Sequence, residues 1–259
     1  MAESVAESED PHGDRGANSD LSGRVALVTG AAKRMGRALA LALADAGAHV
    51  AIHFQNSRDE AAAVVREIEA MGRRARLVCC DLTDPVAVDV AFREAIDTLG
   101  GLDILVNNVG TIVWKNFESH DAEDWQTCLD GTLFATLNAS RAALPALRSS
   151  GRGRIINILD ADADSTDPVP FATAYKIGKR ATFTLTKTMA VTEAPHGITV
   201  NAVSPGTLED SRKKPALDQI PAGRYGTYED ITQAVRFLVG DDAGYVTGAH
   251  LKVSGGYLI

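Results

Sequence analysis

Residues 25–40 constrain the rest of the chain most. An apolar run, Val25-Ala-Leu-Val28, stops at Thr29-Gly30. A tight basic loop with Lys33 and Arg34 follows, and from Met35 an alanine- and leucine-rich pattern with helical spacing begins. This predicts a strand, a turn and a helix N-terminus. Such a terminus presents unpaired N–H groups and the positive end of a dipole, which suits a phosphate. Gly30 and Gly36 let the backbone turn tightly and approach a ligand closely. The spacing lacks the strict G-x-G-x-x-G form, because Arg34 stands where the middle glycine belongs. An ordinary strand-to-helix turn would satisfy the loop alone; read with the rest of the chain, it is a cradle for the pyrophosphate of a nicotinamide dinucleotide.

The same alternation runs to the C-terminus. Strands are expected at 24–29, 49–54, 76–80, 102–106, 154–159, 198–203 and 250–253, and helices at 35–47, 57–71, 84–99, 121–148, 173–193 and 227–239. Asp84-Pro85 supplies an N-cap and a first-turn proline, while Pro145 should bend or end the last turns of the long helical stretch. Several strands are continuous Val/Ile/Leu runs, the pattern of a parallel sheet covered on both faces. Right-handed crossovers make this an α/β chain with a single Rossmann-type, doubly wound parallel sheet flanked by helices. Ligands in such sheets bind outside the carboxyl ends of the strands. The loop 30–36, Asp81, Asn107 to Gly110, Asp160 and Pro205-Gly206 all fall there.

With 259 residues, 45% hydrophobic and 23% charged, the chain can build one sizeable core. No apolar run is long enough to cross a bilayer, and the first residues do not read as a secretory signal. Cys79, Cys80 and Cys128 make no disulfide framework, which fits a cytoplasmic protein, and the adjacent pair should be core. The formal charge is −8, and residues 1–20 hold six carboxylates against Arg15 alone. Residues 1–22 are expected to be a disordered acidic tail and 23–259 the folded unit, with neither nucleic acid nor membrane as partner.

An NAD site usually carries a carboxylate at the end of the second strand. None stands between Ala46 and Arg58; Phe54, Gln55, Asn56 and Ser57 occupy that place, and Lys33 and Arg34 stand in the loop. Two cations with amide and hydroxyl donors suit a 2′-phosphate, so NADP(H) is expected, unless Lys33 and Arg34 are merely solvated charges. Tyr175 and Lys179 lie four apart on one helix face. An ammonium beside a phenol lowers its pKa and prepares Tyr175 to exchange a proton with a carbonyl oxygen as hydride is transferred. The six histidines are scattered, with no metal-ligand spacing, and no G-x-S-x-G elbow is present.

Thr29-Gly30 with Gly36, Asp81, Asn107-Asn108-x-Gly110, Tyr175-x-x-x-Lys179 and Pro205-Gly206, in this order over residues 22–259, resemble the classical short-chain dehydrogenases/reductases. The resemblance implies one NAD(P)-binding Rossmann domain, hydride transfer to or from a carbonyl or alcohol, and a homotetramer or homodimer. By position it assigns Asp81 and Leu82 to adenine, Asn107 to the central strand and adenosine side, and Lys179 to the nicotinamide ribose as well as to catalysis. Gly30, Lys33, Arg34, Met35, Gly36, Phe54, Asn56, Ser57, Asn108, Gly110, Tyr175, Pro205 and Gly206 complete the expected cofactor contacts.

Three positions depart from the family pattern. The usual catalytic serine is replaced: Asp160 fits its place by motif and Asp162 by distance to Tyr175. Thr132, seven residues after Trp125, replaces the helix asparagine, and N-N-V-G replaces N-N-A-G. An aspartate in the serine place, Ile52-His-Phe-x-x-Ser57 and the ending Val253-Ser-Gly-Gly-Tyr257 resemble the pteridine reductases, in which that Asp and Tyr protonate the reduced heterocycle. The stacking aromatic would then be near Ile112; Trp114 or Phe171 could serve. The short loop after Gly206 carries Arg212, Lys213 and Lys214, a charge run that suits either solvent or an anionic substrate. Three functions follow: an NADP(H)-dependent carbonyl reductase, a pteridine-type reductase of C=N bonds, and a cofactor-binding regulator without catalysis.

Overall fold

The protein is described here as a computed structural model covering residues 20–258. The acidic segment 1–19 lies outside the described residues. Leu21 is fully buried and its N–H donates to the Ala46 carbonyl at 2.7 Å, so packed chain begins ahead of the boundary expected at residue 23.

The alternating apolar runs form a seven-stranded parallel sheet in the order β3-β2-β1-β4-β5-β6-β7. The strands are β1 (Val25–Val28), β2 (His49–Phe54), β3 (Ala75–Cys79), β4 (Ile104–Asn107), β5 (Arg154–Ile158), β6 (Thr199–Pro205) and β7 (His250–Val253). β1 pairs with β2 on one side and β4 on the other, with Val28 opposite both Ile52 and Val106. The chain therefore reverses its winding direction at β1/β4, where such sheets open a crevice.

The helices are α1 (Arg34–Asp45), α2 (Arg58–Ala70), α3 (Pro85–Leu99), α4 (Ala122–Leu129), α5 (Ala135–Ser150), α6 (Thr173–Glu193) and α7 (Tyr228–Val239). Successive strand residues serve opposite faces. Ala26 and Val28 join Leu39, Leu43, Val64, Ile68, Ile231 and Val235 under α1, α2 and α7. Val25 and Leu27 join Phe92, Leu99, Ala139, Leu147 and Met189 under α3, α5 and α6. Burial on both faces is why these strands read as unbroken apolar runs rather than alternating ones.

The expected helix 121–148 is interrupted. A π-helical turn, Asp130–Phe134, separates α4 from α5, and Pro145 lies inside α5, which continues to Ser150 rather than ending at the proline. The extra residue of such a turn shifts the side-chain register. Cys79 is exposed, not core, whereas Cys80 is buried. β3 is an edge strand with a neighbour on one side only, and Arg76 and Cys79 are exposed on it.

A buried polar chain ties the centre of the sheet to its helices. Asn107 Nδ2 donates to Ser140 Oγ at 3.0 Å and to Asn157 Oδ1 at 2.8 Å. Asn157 Nδ2 donates to Thr186 Oγ1 at 2.8 Å, which donates to the Thr182 carbonyl. Asn107 thus ties β4 to β5 and to α5. Buried amides left without partners are costly, so Asn157→Ala should destabilise the fold by about 2–3 kcal/mol, read as a lower urea midpoint at unchanged m-value.

Candidate active site

The glycine loop closes on itself at the end of β1. Gly30 has φ +60°, and a Cβ on Gly36 would lie 2.1 Å from the Gly30 carbonyl oxygen. Glycine at position 36 is therefore a packing requirement: it lets the first turn of α1 rest directly on the loop backbone. Arg34 adopts φ +52°, so the position expected to carry a middle glycine keeps a left-handed backbone with a side chain on it. Asn108 Nδ2 donates to the Thr29 carbonyl at 3.1 Å, and the Asn108 N–H donates to Thr29 Oγ1 at 2.8 Å, fastening the loop to β4.

Sequence reasoning missed His53. It is almost fully buried beneath the loop. The Gly30 N–H donates to its Nδ1 at 3.1 Å, and Nε2 stands 3.2 Å from the Cys80 carbonyl, where it donates. Both contacts require the neutral ring, and burial pushes its pKa down to about 4. The signal in the sequence was a lone histidine inside an apolar strand, which core packing also explains.

Three adjoining recesses lie along the carboxyl ends of the strands. The first, about 380 Å³, is bordered by Gly30, His53, Gln55, Asp81 and Leu82. The middle one, about 520 Å³, is bordered by Gly30, Lys33, Arg34, Met35, Gly36, Asn108, Gly110, Asp160, Tyr175, Pro205 and Gly206. The outer one, about 690 Å³, is bordered by Ile112, Trp114, Asp160, Phe171, Lys176 and Arg212 among others. A larger recess, about 900 Å³, lies at the opposite end of the sheet around Val25, His49, Asp103 and Arg152, remote from Tyr175.

Most of the expected cofactor residues thus come together, but Phe54, Asn56 and Ser57 do not, and the buried Lys179 borders none of the three recesses. The Phe54 side chain is buried in the core under α1 and α2. Asn56 and Ser57 border none of the three recesses, and Gln55 takes the position beside Asp81. Lys33 and Arg34 are exposed but paired: Lys33 meets Glu60 at 2.6 Å and Arg34 meets Asp210 at 2.9 Å, with the Tyr228 hydroxyl also on Asp210.

α6 carries Tyr175 and Lys179 to the mouth of the middle recess. Lys179 is buried and donates from Nζ to the Ile158 carbonyl at 2.7 Å; Nζ lies 5.7 Å from the Tyr175 ring centre. A Cβ on Gly110 would fall 3.0 Å from Lys179 Nζ and 3.3 Å from Tyr175 Cε2, so glycine lets the chain leaving β4 approach the pair. Burial lowers the Lys179 pKa to about 8, partly offset by Asp160. Burial first, then the charges of Asp160 and Asp162, raise the Tyr175 phenol well above its ordinary value. This is opposite in sign to the lysine-driven lowering expected from the sequence: loss of water around the phenolate is the largest effect on it.

Geometry separates the two aspartates. Asp160 borders both the middle and outer recesses, with its carboxylate 2.7 Å from Lys176 Nζ. Asp162 borders neither; it pairs with Lys176 at 2.9 Å and faces Arg180 at 3.9 Å. Asp160 is therefore the carboxylate at the site. Thr132, in the π-helical turn, accepts the Thr111 N–H at 3.3 Å through Oγ1, and its carbonyl accepts the Thr136 hydroxyl, which leaves the turn engaged internally. Ser204, His250 and Asp164 form another polar line: Ser204 Oγ is 2.6 Å from His250 Nε2, and His250 Nδ1 is 3.4 Å from Asp164. Ser204 is completely buried, so the line joins β6, β7 and the 160–172 loop without offering a nucleophile. Among the described residues no His/Cys/Asp/Glu cluster could hold a metal ion, and no helix is long and apolar enough to cross a membrane.

A doubly wound sheet with a tyrosine–lysine pair at the mouth of a glycine loop defines an oxidoreductase of Rossmann type. Residues 30–258 match the family model described as enoyl-(acyl carrier protein) reductase. The 3-oxoacyl-[acyl-carrier-protein] reductase of Staphylococcus aureus is 35% identical over 239 residues, covering 89% of this chain and 96% of that protein. The corresponding reductase of Vibrio cholerae is 34% identical, covering 93% and 100%. A short-chain dehydrogenase from Burkholderia cenocepacia J2315, crystallised in complex with NADP, superposes with a TM-score of 0.85 at 36% identity, covering 92% of this chain and 98% of that one. The chain belongs to the classical short-chain dehydrogenase/reductase family, and it is an oxidoreductase, not a regulator without catalysis.

His53 makes the site's stability depend on pH. Its pKa is about 4 in the folded protein against an ordinary 6.5, so the unfolded chain binds the extra proton between these values. Its contribution, on the order of 3 kcal/mol, is complete above pH 6.5 and is lost as pH falls toward 4. His53→Gln should flatten the fall in unfolding free energy across that window, measured by urea titration at each pH.

Proposed function

We propose that this chain transfers hydride between NADP(H) and a carbonyl or alcohol, with Tyr175 as general acid/base. The observation that carries the reading is that Tyr175 and Asp160 both border the middle recess, with the buried Lys179 ammonium just behind Gly110 and 5.7 Å from the Tyr175 ring centre. The recesses fit a dinucleotide: Gly30 and Gly36 border the middle one, which adjoins the recess of Asp81 and Leu82 through their shared Gly30. In this arrangement the glycine loop would hold the pyrophosphate, Asp81 and Leu82 the adenine, Lys33 and Arg34 the 2′-phosphate, and Lys179 the nicotinamide ribose. A phosphate there must draw Lys33 from Glu60 and Arg34 from Asp210. A dianionic partner competes well with a single carboxylate at a half-exposed position.

When bound, the nicotinamide supplies or accepts the hydride. In reduction, Tyr175 gives its hydroxyl proton to the carbonyl oxygen as negative charge builds there. Its raised pKa keeps that proton in place at neutral pH. The phenolate that remains lies beside the Lys179 ammonium, which stabilises it. Lys176 pairs with Asp160 and offsets part of its charge, while what remains helps to hold the proton on Tyr175 until the carbonyl oxygen takes it. A second reading, protonation of a C=N bond in a reduced pteridine, is favoured by Asp160 itself and by the Trp114–Phe171 pair, whose ring centres are 5.7 Å apart beside it. A homotetramer or homodimer is the proposed assembly, read by light scattering.

Tyr175→Phe should lower kcat by roughly 10²–10⁴-fold with any carbonyl substrate; unchanged turnover would remove the assignment. Because Lys179 loses its proton at about pH 8, reduction should slow as pH rises through that value, and a flat alkaline limb would overturn its role. NADPH should exceed NADH in kcat/KM, with Arg34→Gln narrowing the ratio about tenfold. A dihydropteridine assayed by NADPH absorbance separates the two readings.

A further inference from the structure

We propose that the outer recess selects carbonyl substrates bearing an anionic oxygen group, a carboxylate or phosphate, at the end remote from the reacting carbonyl; this rests on the carbonyl-reduction reading above. Arg212, Lys213 and Lys214, consecutive in the loop between β6 and α7, all border the recess. Among the described residues none of the three has a carboxylate within ion-pair distance. The other two cations on the recess are already neutralised, Arg34 by Asp210 at 2.9 Å and Lys176 by Asp160 at 2.7 Å. Uncompensated positive charge is therefore confined to the loop end, and the one carboxylate lining the recess, Asp160, marks the end next to Tyr175.

The lysines rest on ring faces instead. Lys213 Nζ lies 3.6 Å from the Phe171 ring centre and 5.3 Å from that of Trp114, and Lys214 Nζ lies 4.9 Å from the Tyr225 ring centre. A ring face attracts an ammonium but accepts no conventional hydrogen bond from it, whereas an anionic oxygen offers both opposite charge and a charge-assisted hydrogen bond. An anionic oxygen thus outbids the rings for Lys213. When Lys213 swings to the anion, it uncovers the tilted Trp114–Phe171 pair as an apolar wall for the carbon skeleton. Polarity along the recess sets the substrate's orientation: anion at the loop, carbonyl at Asp160 and Tyr175.

The test uses the whole chain with three matched ketones: para-acetylbenzoate, para-acetylphenyl phosphate and the neutral methyl para-acetylbenzoate. kcat/KM should favour an anionic ketone over the ester by about tenfold or more, carried mainly by KM and shrinking as salt screens the loop charges. The carboxylate and phosphate arms identify which anion is taken. Lys213→Met and, separately, Arg212→Gln should each reduce the acid-over-ester ratio severalfold. Binding is read independently by quenching of Trp fluorescence without cofactor, because Trp114 loses its lysine neighbour as an anion binds. Equal kcat/KM and equal affinity for acid and ester would overturn the proposal. If no ketone is turned over, the carbonyl-reduction reading fails, and the fluorescence titration alone still decides this one: tighter binding of either anion than of the ester upholds it, and equal binding rejects it.

Discussion

The contact between the first turn of α1 and the loop that precedes it governs the site. Gly36 approaches the Gly30 carbonyl so closely that no side chain could stand between them. That closeness brings the positive end of a helix onto the last residue of the central strand, and Asn108 locks the same loop to β4. His53 supports the loop from below through the Gly30 N–H. Backbone, amide and imidazole together hold an anion cradle at the crevice where the sheet reverses its winding. The other functional groups are placed relative to that cradle by the strand ends and by the first turns of α6.

Around this frame, charge rather than shape distinguishes the site. A carboxylate, Asp160, borders both the middle and outer recesses, and Lys176 from α6 compensates it. The same carboxylate and burial keep the proton on Tyr175, so the phenol is poised as a donor. Lys179 is tied to the Ile158 carbonyl, which fixes its ammonium at the end of β5 while burial makes it easier to deprotonate. The outer recess continues the pattern, with paired charges near the chemistry and unpaired cations at its far rim.

The architecture was legible because parallel strands buried on both faces must be continuous apolar runs and each must be joined by a helix. Asp84 caps α3, accepting the N–H groups of Val86 and Ala87, as its place before Pro85 predicted. Tyr175 and Lys179 were legible because one helical turn sets their spacing. Less local features were not. The π-helical turn at Asp130–Phe134 interrupts a segment whose spacing reads as uninterrupted helix, and Pro145 is accommodated inside α5. Phe54 occupied a cofactor position by counting, yet an aromatic at a strand end next to a forming core is buried more favourably than exposed.

What the chain determines by itself is therefore the order of elements, the glycine turn, and the phenol and ammonium one helical turn apart, since each depends on residues near one another in sequence. Tertiary structure alone decided that Asp160 and not Asp162 enters the site, that Lys33 and Arg34 are held by Glu60 and Asp210, that His53 stays neutral, and that burial raises rather than lowers the Tyr175 pKa. Each of these is set by partners brought in from distant segments and by the loss of water around them, and neither is encoded in local spacing.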